Sequence, residues 1–209
     1  MGAVSARFPA AVEYARQAHD GQTRKGTTIA YLSHLLAVAA LVLEHGGDED
    51  QAIAGLLHDA VEDGGEHHQA QIAEQFGPRV ARIVASCTDG TAESKAAVPV
   101  QAEQRLASWR ARKQAYLQHL GDADADVLLV SGCDKLHNAR AIVSDQENPA
   151  VGNAVFARFN AGRDDTLAYY HSLAGVFAAR QSPVAAALAA TVARMHALAG
   201  QDTARPLGH

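Results

Sequence analysis

Cysteine and aromatic residues are scarce in this sequence of 209 residues. The two cysteines, Cys87 and Cys133, form no CxxC motif, which argues against a structural zinc site built on thiolates. Aromatic residues make up only 5% of the chain, whereas hydrophobic residues make up 48% and include long runs of Ala and Leu. Because Ala and Leu favour helices over strands, the composition predicts an all-α fold.

An excess of basic charge is also missing. The net charge of −5 and the pI near 6.1 argue against a nucleic-acid-binding surface and favour a small-molecule partner. The N-terminus lacks a basic flank followed by a continuous apolar core, so we expect no signal peptide. The later apolar stretches are short or interrupted by charge, and no membrane contact is expected. These features predict a cytoplasmic protein, either a monomer or a homodimer.

The length fits one compact domain with a substantial core. We predict a single domain over residues 1–209, built of roughly eight to ten helices. Its core covers about residues 8–178, and a last helix covers about 183–199. The remaining residues, 200–209, are expected to form a frayed tail.

The most informative stretch is AIAGLLHDAVEDGG, where an apolar run leads directly into four polar residues, His58, Asp59, Glu62 and Asp63. Residues four apart lie on one face of a helix, so a helix opened by Asp50 would place His58 beside Glu62 and Asp59 beside Asp63. Charged groups are seldom buried without partners. A bound cation would explain why these groups follow a segment with core character.

Two ligands from one helix leave a metal ion underbound, so the chain must supply more. Two candidates are His34, which begins an apolar helix, and Asp134, a polar residue within another. With His58 and Asp59 they form a set of two imidazoles and two carboxylates. Mixed nitrogen and oxygen ligands of this kind suit Mn, Fe, Co or Zn ions.

Five segments, which follow one another in a fixed order, carry a resemblance to a known family. These segments are GQTRKG (21–26), YLSHLLAVA (31–39), GLLHDAVEDG (55–64), FGPRVARIVASCTDG (76–90) and DKLHNARAI (134–142). In this arrangement the chain resembles the HD superfamily of metal-dependent phosphohydrolases. Within it, the sequence is similar to the hydrolase domain of the Rel/SpoT stringent-response enzymes and to the stand-alone small alarmone hydrolases. The resemblance implies a single-domain helical bundle of the HD type around a metal site.

The resemblance also implies roles for the acidic pair and the metal set. One divalent ion, usually Mn²⁺, would be held by the four candidate ligands and would keep positions open for water and a phosphate oxygen. Glu62 and Asp63 would orient that water and pass its proton to the leaving oxygen. They are the expected catalytic residues.

Substrate contacts follow from the same resemblance. Arg24 and Lys25 would bind the nucleotide, although adjacent cations are often only solvated surface charge. Asn138, one turn after the ligand Asp134, would hydrogen-bond a ribose or base. Lys113 and Tyr116 are weaker candidates, on a helix whose basic face has an ordinary solvated reading.

The implied substrate is guanosine tetra- or pentaphosphate, whose 3′-pyrophosphate would be released to give GDP or GTP. Adenosine counterparts stay possible, as do a nucleotidase and a phosphatase acting on NADPH, which would release orthophosphate. A silent nucleotide-binding module is a further alternative, although it predicts a broken ligand set. The absence of a recognisable synthetase region favours a stand-alone hydrolase.

Other polar segments receive simpler interpretations. His19 is expected to be exposed or to cap the first helix, and the pair His67 and His68 is expected to be exposed loop polarity. His137 is expected to have a structural role. Residues 88–101, rich in small and polar residues, are predicted to form a loop that borders the substrate site.

Overall fold

The structure, a computed structural model, describes residues 4–88, 102–200 and 205–208. In chain order the α-helices of this part are α1 (Arg7–Ala18), α2 (Leu32–Glu44), α3 (Glu49–Leu57), α4 (Ala60–Gly64), α5 (His67–Phe76), α6 (Pro78–Cys87), α7 (Ala102–Asp122), α8 (Ala125–Glu147), α9 (Gly162–Ala179) and α10 (Ala185–Ala199). A 3-10 helix, Gly152–Arg158, lies between α8 and α9. Ten α-helices and no strand among the described residues confirm the predicted all-α fold. None of these helices is long and apolar enough to cross a membrane.

The described residues fall into two compact units, each made of more than one stretch of chain. The first unit holds residues 4–88 and 124–134, and the second holds residues 102–123, 135–200 and 205–208. Helix α8 therefore contributes its first ten residues to one unit and the rest to the other. The single domain expected from the sequence stays a prediction.

In the first unit, α3 packs against α1, α2 and α6, and α5 packs against α6. Gly55 permits the close approach of α2 and α3, because a Cβ atom there would lie 3.4 Å from the Cα of Ala39 and from Cγ1 of Val38. The larger side chains of this core are fully buried, and among them are Leu35, Ile53, Leu56, Leu57, Ile72 and Ile83. Burial of each such side chain stabilises the fold by roughly 1.5–3 kcal/mol.

Helix α3 begins at a capping box that the sequence interpretation missed. Asp48 Oδ1 accepts from the Gln51 N–H, and the Gln51 side chain accepts from the Asp48 N–H. This reciprocal pair satisfies two backbone donors that a helix start otherwise leaves unpaired. The helix therefore begins at Glu49, and Asp50, which was predicted to open it, lies inside its first turn.

The second unit is organised around α9, which packs against α7, α10 and the 3-10 helix. Part of the C-terminal tail is held there: the N–H of Leu207 donates to Ser172 Oγ at 2.9 Å, and the carbonyl of Gly208 accepts from Gln114 Nε2 at 2.7 Å. Leu207 is also buried. A frayed tail was predicted over residues 200–209, and within it Leu207 and Gly208 are held by these contacts.

Candidate metal centre

The candidate site lies at a break between helices α3 and α4. The sequence interpretation placed His58 and Asp59 on one continuous helix with the two acids that follow, but α3 ends at Leu57 and α4 begins at Ala60. His58 Nδ1 lies 2.9 Å from the carbonyl oxygen of Gly55, which a continuous helix would pair with the Asp59 N–H. This side-chain bond competes with the helical one, and His58 and Asp59 form the turn between the two helices.

Four polar side chains from three parts of the first unit meet at this turn. His34, in the first turn of α2, places Nε2 at 3.2 Å from Asp134 Oδ1 and 3.8 Å from Asp59 Oδ2. His58 Nε2 lies 3.0 Å from Asp59 Oδ2 and 3.5 Å from Asp134 Oδ1. The ligand atoms of His34, His58 and Asp59 all lie within 4.8 Å of one another. The structure therefore brings together all four candidate metal ligands.

These groups are shielded from solvent. The exposed fractions of the His34, His58, Asp134 and Asp59 side chains are 1%, 3%, 8% and 16%. Burial lowers the pKa of His34, with partial compensation by Asp134. Burial also acts to lower the pKa of His58, but the charges of Asp59 and Asp134 outweigh it and raise that pKa well above the ordinary value. Burial acts to raise the pKa of Asp59, but the neighbouring His58 and His34 together outweigh it and lower that pKa.

The donor set fits a divalent cation. His58 Nδ1 faces the Gly55 carbonyl, so a divalent cation that replaces the proton on Nε2 would meet the Nε2 lone pair directed into the cluster. Nε2 of His58 is buried and makes no hydrogen bond of acceptable geometry, although two carboxylates are close. Convergent nitrogen and carboxylate donors with an orphaned ring nitrogen are typical of a metal-binding centre. A dication would offset the charge of Asp59 and Asp134.

Tyr31 supports the centre and was not identified from the sequence. Its hydroxyl donates to Asp59 Oδ2 at 2.5 Å, and its ring makes an edge contact with His34 at a centroid distance of 5.4 Å. Burial is the main cause that raises the pKa of Tyr31, followed by the charge of Asp59. Tyr31 therefore stays a hydrogen-bond donor and orients a carboxylate of the candidate centre.

The predicted catalytic acids both lie in the short helix α4. Asp63 is exposed, and its Oδ2 accepts a hydrogen bond from Gln22 Nε2 at 2.9 Å. Glu62 is half-buried. Their catalytic roles stay predictions.

The loop that carries the predicted nucleotide contacts is closed by its own backbone. The N–H of Arg24 donates to the carbonyl of Ile29 at 2.8 Å, and the guanidinium carbon of Arg24 lies 5.9 Å from the centre of the Tyr31 ring. Arg24 thus lies next to the tyrosine that binds Asp59. Lys25 is exposed. The structure brings Arg24 to the candidate centre, and substrate binding by this pair stays a prediction.

The other predicted substrate residues belong to the second unit. Lys113 Nζ lies 5.1 Å from the centre of the Tyr169 ring. Tyr116 is buried, and Lys135 Nζ lies 5.0 Å from the centre of its ring. Asn138 is half-buried in α8. Their contacts with substrate stay predictions, and the predicted loop over residues 88–101 lies, apart from Thr88, outside the described residues.

The structure agrees with part of the interpretation of two sets of histidines: His19 caps α1, which was one of its two expected roles, but it is not exposed. His19 is only 5% exposed: it ends α1, its Nδ1 lies 2.7 Å from Gln22 Oε1, and its ring packs on Tyr31. His67 is exposed, as expected, but the pair begins α5 instead of lying in a loop, and His68 is half-buried with its Nδ1 2.6 Å from the hydroxyl of Tyr14. Tertiary packing, which is not visible in local sequence, recruits both His19 and His68.

The described residues form an all-α fold in which two histidines and two aspartates converge on one point, an arrangement that fits a metal-binding centre. The model of the family described as HD domain matches residues 11–167. The chain therefore belongs to the HD domain family.

The sequence is similar to parts of several longer bacterial proteins. The chain is 32% identical over 131 residues to a guanosine-3′,5′-bis(diphosphate) 3′-pyrophosphohydrolase of Haemophilus influenzae, which covers 62% of this chain and 18% of that protein. It is 34% identical over 129 residues to a GTP pyrophosphokinase of Myxococcus xanthus, covering 62% and 16%. The chain thus matches less than a fifth of the length of these relatives.

Two solved structures share the fold. One, a metazoan ortholog of SpoT described as hydrolysing ppGpp, has a TM-score of 0.66 at 21% identity, covering 96% of this chain and 99% of that one. The other, a protein of Listeria monocytogenes, has a TM-score of 0.61 at 28% identity, covering 78% and 92%. These similarities support the assignment of the fold over most of the chain.

Proposed function

We propose that this chain hydrolyses the 3′-pyrophosphate of guanosine tetra- and pentaphosphate, giving GDP or GTP and pyrophosphate, with one bound Mn²⁺. The observation that carries the proposal is the convergence of His34, His58, Asp59 and Asp134 within one buried cluster. The names of the Haemophilus influenzae relative and of the metazoan structural neighbour support this substrate.

The buried cluster prepares the site for a cation. When bound there, a divalent ion lowers the pKa of water and offsets the charge of a phosphate oxygen. His34 and His58 supply nitrogen donors, and the Gly55 carbonyl fixes the ring of His58. Tyr31 restrains Asp59, whose rotation would otherwise weaken the cation site.

Other predicted residues are assigned the remaining functions. Glu62 and Asp63 act as general acid and base: they orient the attacking water and transfer its proton to the leaving oxygen. Arg24 and Lys25 bind the negative charge of the nucleotide. Asn138 recognises the ribose or base, with Lys113 and Tyr116 as weaker contributors. A small nucleotide is the partner that this combination favours.

The names of the relatives point to two opposite reactions, pyrophosphate removal and pyrophosphate transfer. Hydrolysis is the better supported one, because two further carboxylates, Glu62 and Asp63 in α4, follow the metal donors His58 and Asp59 and are able to move the proton of an attacking water. Both reactions leave distinct products, so they can be separated directly.

An assay with a panel of nucleotides tests this proposal. The chain is incubated with Mn²⁺ and either NADPH or guanosine and adenosine nucleotides that carry a 3′-pyrophosphate or a 3′-monophosphate, and the products are separated by chromatography. We expect GDP or GTP together with pyrophosphate. Release of orthophosphate would support a nucleotidase or an NADPH phosphatase, and binding without turnover would support a silent module; either result would refute the proposal.

A further inference from the structure

A chain of two hydrogen bonds links the end of α1 to a predicted catalytic acid. His19 Nδ1 lies 2.7 Å from Gln22 Oε1, and Gln22 Nε2 donates to Asp63 Oδ2 at 2.9 Å. His19 is 5% exposed and Gln22 is half-buried, whereas Asp63 is exposed. The chain therefore runs from a buried anchor to an acid at the surface.

The chemistry of the three groups determines which one donates and which one accepts in each of the two hydrogen bonds. An ionised carboxylate only accepts hydrogen bonds, so Gln22 must present its NH₂ group to Asp63. The amide oxygen of Gln22 then faces His19, and an oxygen there requires a donor opposite it. His19 must therefore carry a proton on Nδ1. An inverted amide would place an oxygen against the carboxylate of Asp63, which is unfavourable.

The same loop also supports the metal cluster. The ring of His19 packs on that of Tyr31, with centroids 5.1 Å apart and an interplanar angle of 32°. The N–H of Tyr31 donates to the carbonyl of Gln22 at 2.9 Å, and its hydroxyl donates to Asp59. One packed group of His19, Gln22 and Tyr31 thus orients one metal-ligand candidate and one catalytic candidate.

We propose that His19 and Gln22 are positioning residues that hold the carboxylate of Asp63 in the orientation needed for proton transfer. The inference rests on the proposed function, since Asp63 acts only if the chain is a hydrolase. An exposed aspartate rotates freely unless a partner restrains it, and the restraint here is anchored in buried structure. Losing it reduces the fraction of molecules in which Asp63 is ready to act.

Two substitutions of His19 separate its donor from its bulk. In His19→Asn the amide nitrogen takes the place of Nδ1 and keeps a donor toward Gln22, whereas in His19→Gln it takes the place of Nε2. We expect His19→Gln to lower kcat by about tenfold, the effect of one lost hydrogen bond, with KM and Mn²⁺ affinity unchanged. His19→Asn should keep kcat within about threefold of the wild type.

A matched control uses His45, whose Nδ1 lies 2.9 Å from the carbonyl of Leu41 at the end of α2. His45→Asn and His45→Gln make the same chemical changes at a histidine that does not belong to the hydrogen-bonded series His19–Gln22–Asp63. They should leave kcat unchanged. Equal loss of kcat in His19→Asn and His19→Gln, or a loss of Mn²⁺ affinity equal to the loss of kcat, would overturn the positioning role.

Gln22→Leu removes the link while keeping its size. It should lower kcat about as much as His19→Gln, and the double variant should be no worse than either, because both break one chain. Gln17→Leu is the control, since Gln17 donates to the carboxylate of Glu13 on the exposed side of α1. Additive losses in the double variant would contradict a single chain.

Nitrogen NMR of the full chain gives a readout that does not depend on activity. The neutral His19 ring is expected to show its proton on Nδ1, whereas free histidine prefers Nε2. A proton on Nε2 of His19 would overturn the inference even in an active enzyme. If no nucleotide is hydrolysed by the wild-type chain, the proposed function fails instead, and a proton on Nδ1 would show that the hydrogen-bond chain itself is present.

Discussion

Both units of the chain bury histidines in a helical core, and among the described residues the groups close to His58 differ from those close to His196. His58 in the first unit is 3% exposed and has carboxylate oxygens of two aspartates within 3.5 Å. His196 in the second unit is 6% exposed and has the ring of His171 at 6.1 Å. Burial lowers the pKa of His196, whereas nearby acids raise that of His58. Burial alone therefore does not identify a metal centre; converging acids do.

Removing one aspartate from each unit should give the largest difference between the units, and the quantity to compare is the affinity for Mn²⁺. Asp59→Ala is expected to lower Mn²⁺ affinity by more than about a hundredfold and to abolish turnover, because it removes a ligand. Asp165, in the second unit, is equally shielded, with a 16% exposed side chain paired to Arg110. Asp165→Ala should keep Mn²⁺ affinity, as measured by isothermal titration calorimetry. Equal affinity in Asp59→Ala and the wild type would refute the centre.

Glu62→Gln separates catalysis from metal binding. The amide cannot take up the proton, so hydrolysis should slow by about a hundredfold or more while the metal stays bound. Glu147→Gln, on the part of α8 that belongs to the second unit, is the control, since Glu147 is exposed and pairs with Arg194. Steady-state kinetics and Mn²⁺ titration measure the two effects. Loss of the metal equal to that in Asp59→Ala would contradict the assigned role.

Tyr31→Phe tests the support of the centre. Without the hydroxyl, Asp59 loses an orienting hydrogen bond, and Mn²⁺ affinity should fall by about tenfold. Tyr170→Phe makes the same change at a buried tyrosine of the second unit and should leave the affinity unchanged. A fall of the same size in both variants would show a general loss of packing instead.

The smallest expected effect comes from an aspartate of the first unit that lies outside the metal cluster. Asp126 accepts hydrogen bonds from Arg79, Arg82 and Gln51, and its pKa is lowered chiefly by Arg79. A carboxyl with a lowered folded-state pKa stabilises the fold above its ordinary pKa, and this contribution is lost as pH falls through the lowered value. Asp126→Asn should therefore cost about 1 kcal/mol at pH 7.

Urea unfolding at several pH values measures this contribution. The difference between the wild type and Asp126→Asn should shrink as pH falls below the ordinary carboxyl pKa of 3.8, while Mn²⁺ affinity at pH 7 should be equal in both. A difference in the free energy of unfolding that grows toward low pH would contradict the expected stabilisation by the ionised Asp126 carboxylate. Loss of Mn²⁺ affinity would place Asp126 in the site.

Part of the fold could be predicted from helical periodicity, because the buried positions of α2 and α6 follow one face of each helix. The break between α3 and α4 could not, since it depends on a side-chain bond from His58 to the Gly55 carbonyl. The start of α3 was missed although its signal, Asp48 followed three residues later by Gln51, is present in the sequence.

The four candidate ligands could be selected from motif order, but their support could not. Tyr31 and Gln22 belong to a loop whose backbone brings them to Asp59 and Asp63, and no local pattern indicates those partners. His19 was interpreted as exposed or capping because it ends an amphipathic helix; it does end that helix, but the same loop buries it. Long-range packing determines which polar residues serve a site.

Anomalous diffraction from crystals grown with Mn²⁺ tests the central claim most directly. We predict one strong anomalous peak that marks a manganese ion bound by the Nε2 atoms of His34 and His58 and by carboxylate oxygens of Asp59 and Asp134. No peak at this cluster, or a peak that His34 and Asp134 do not reach, would contradict it.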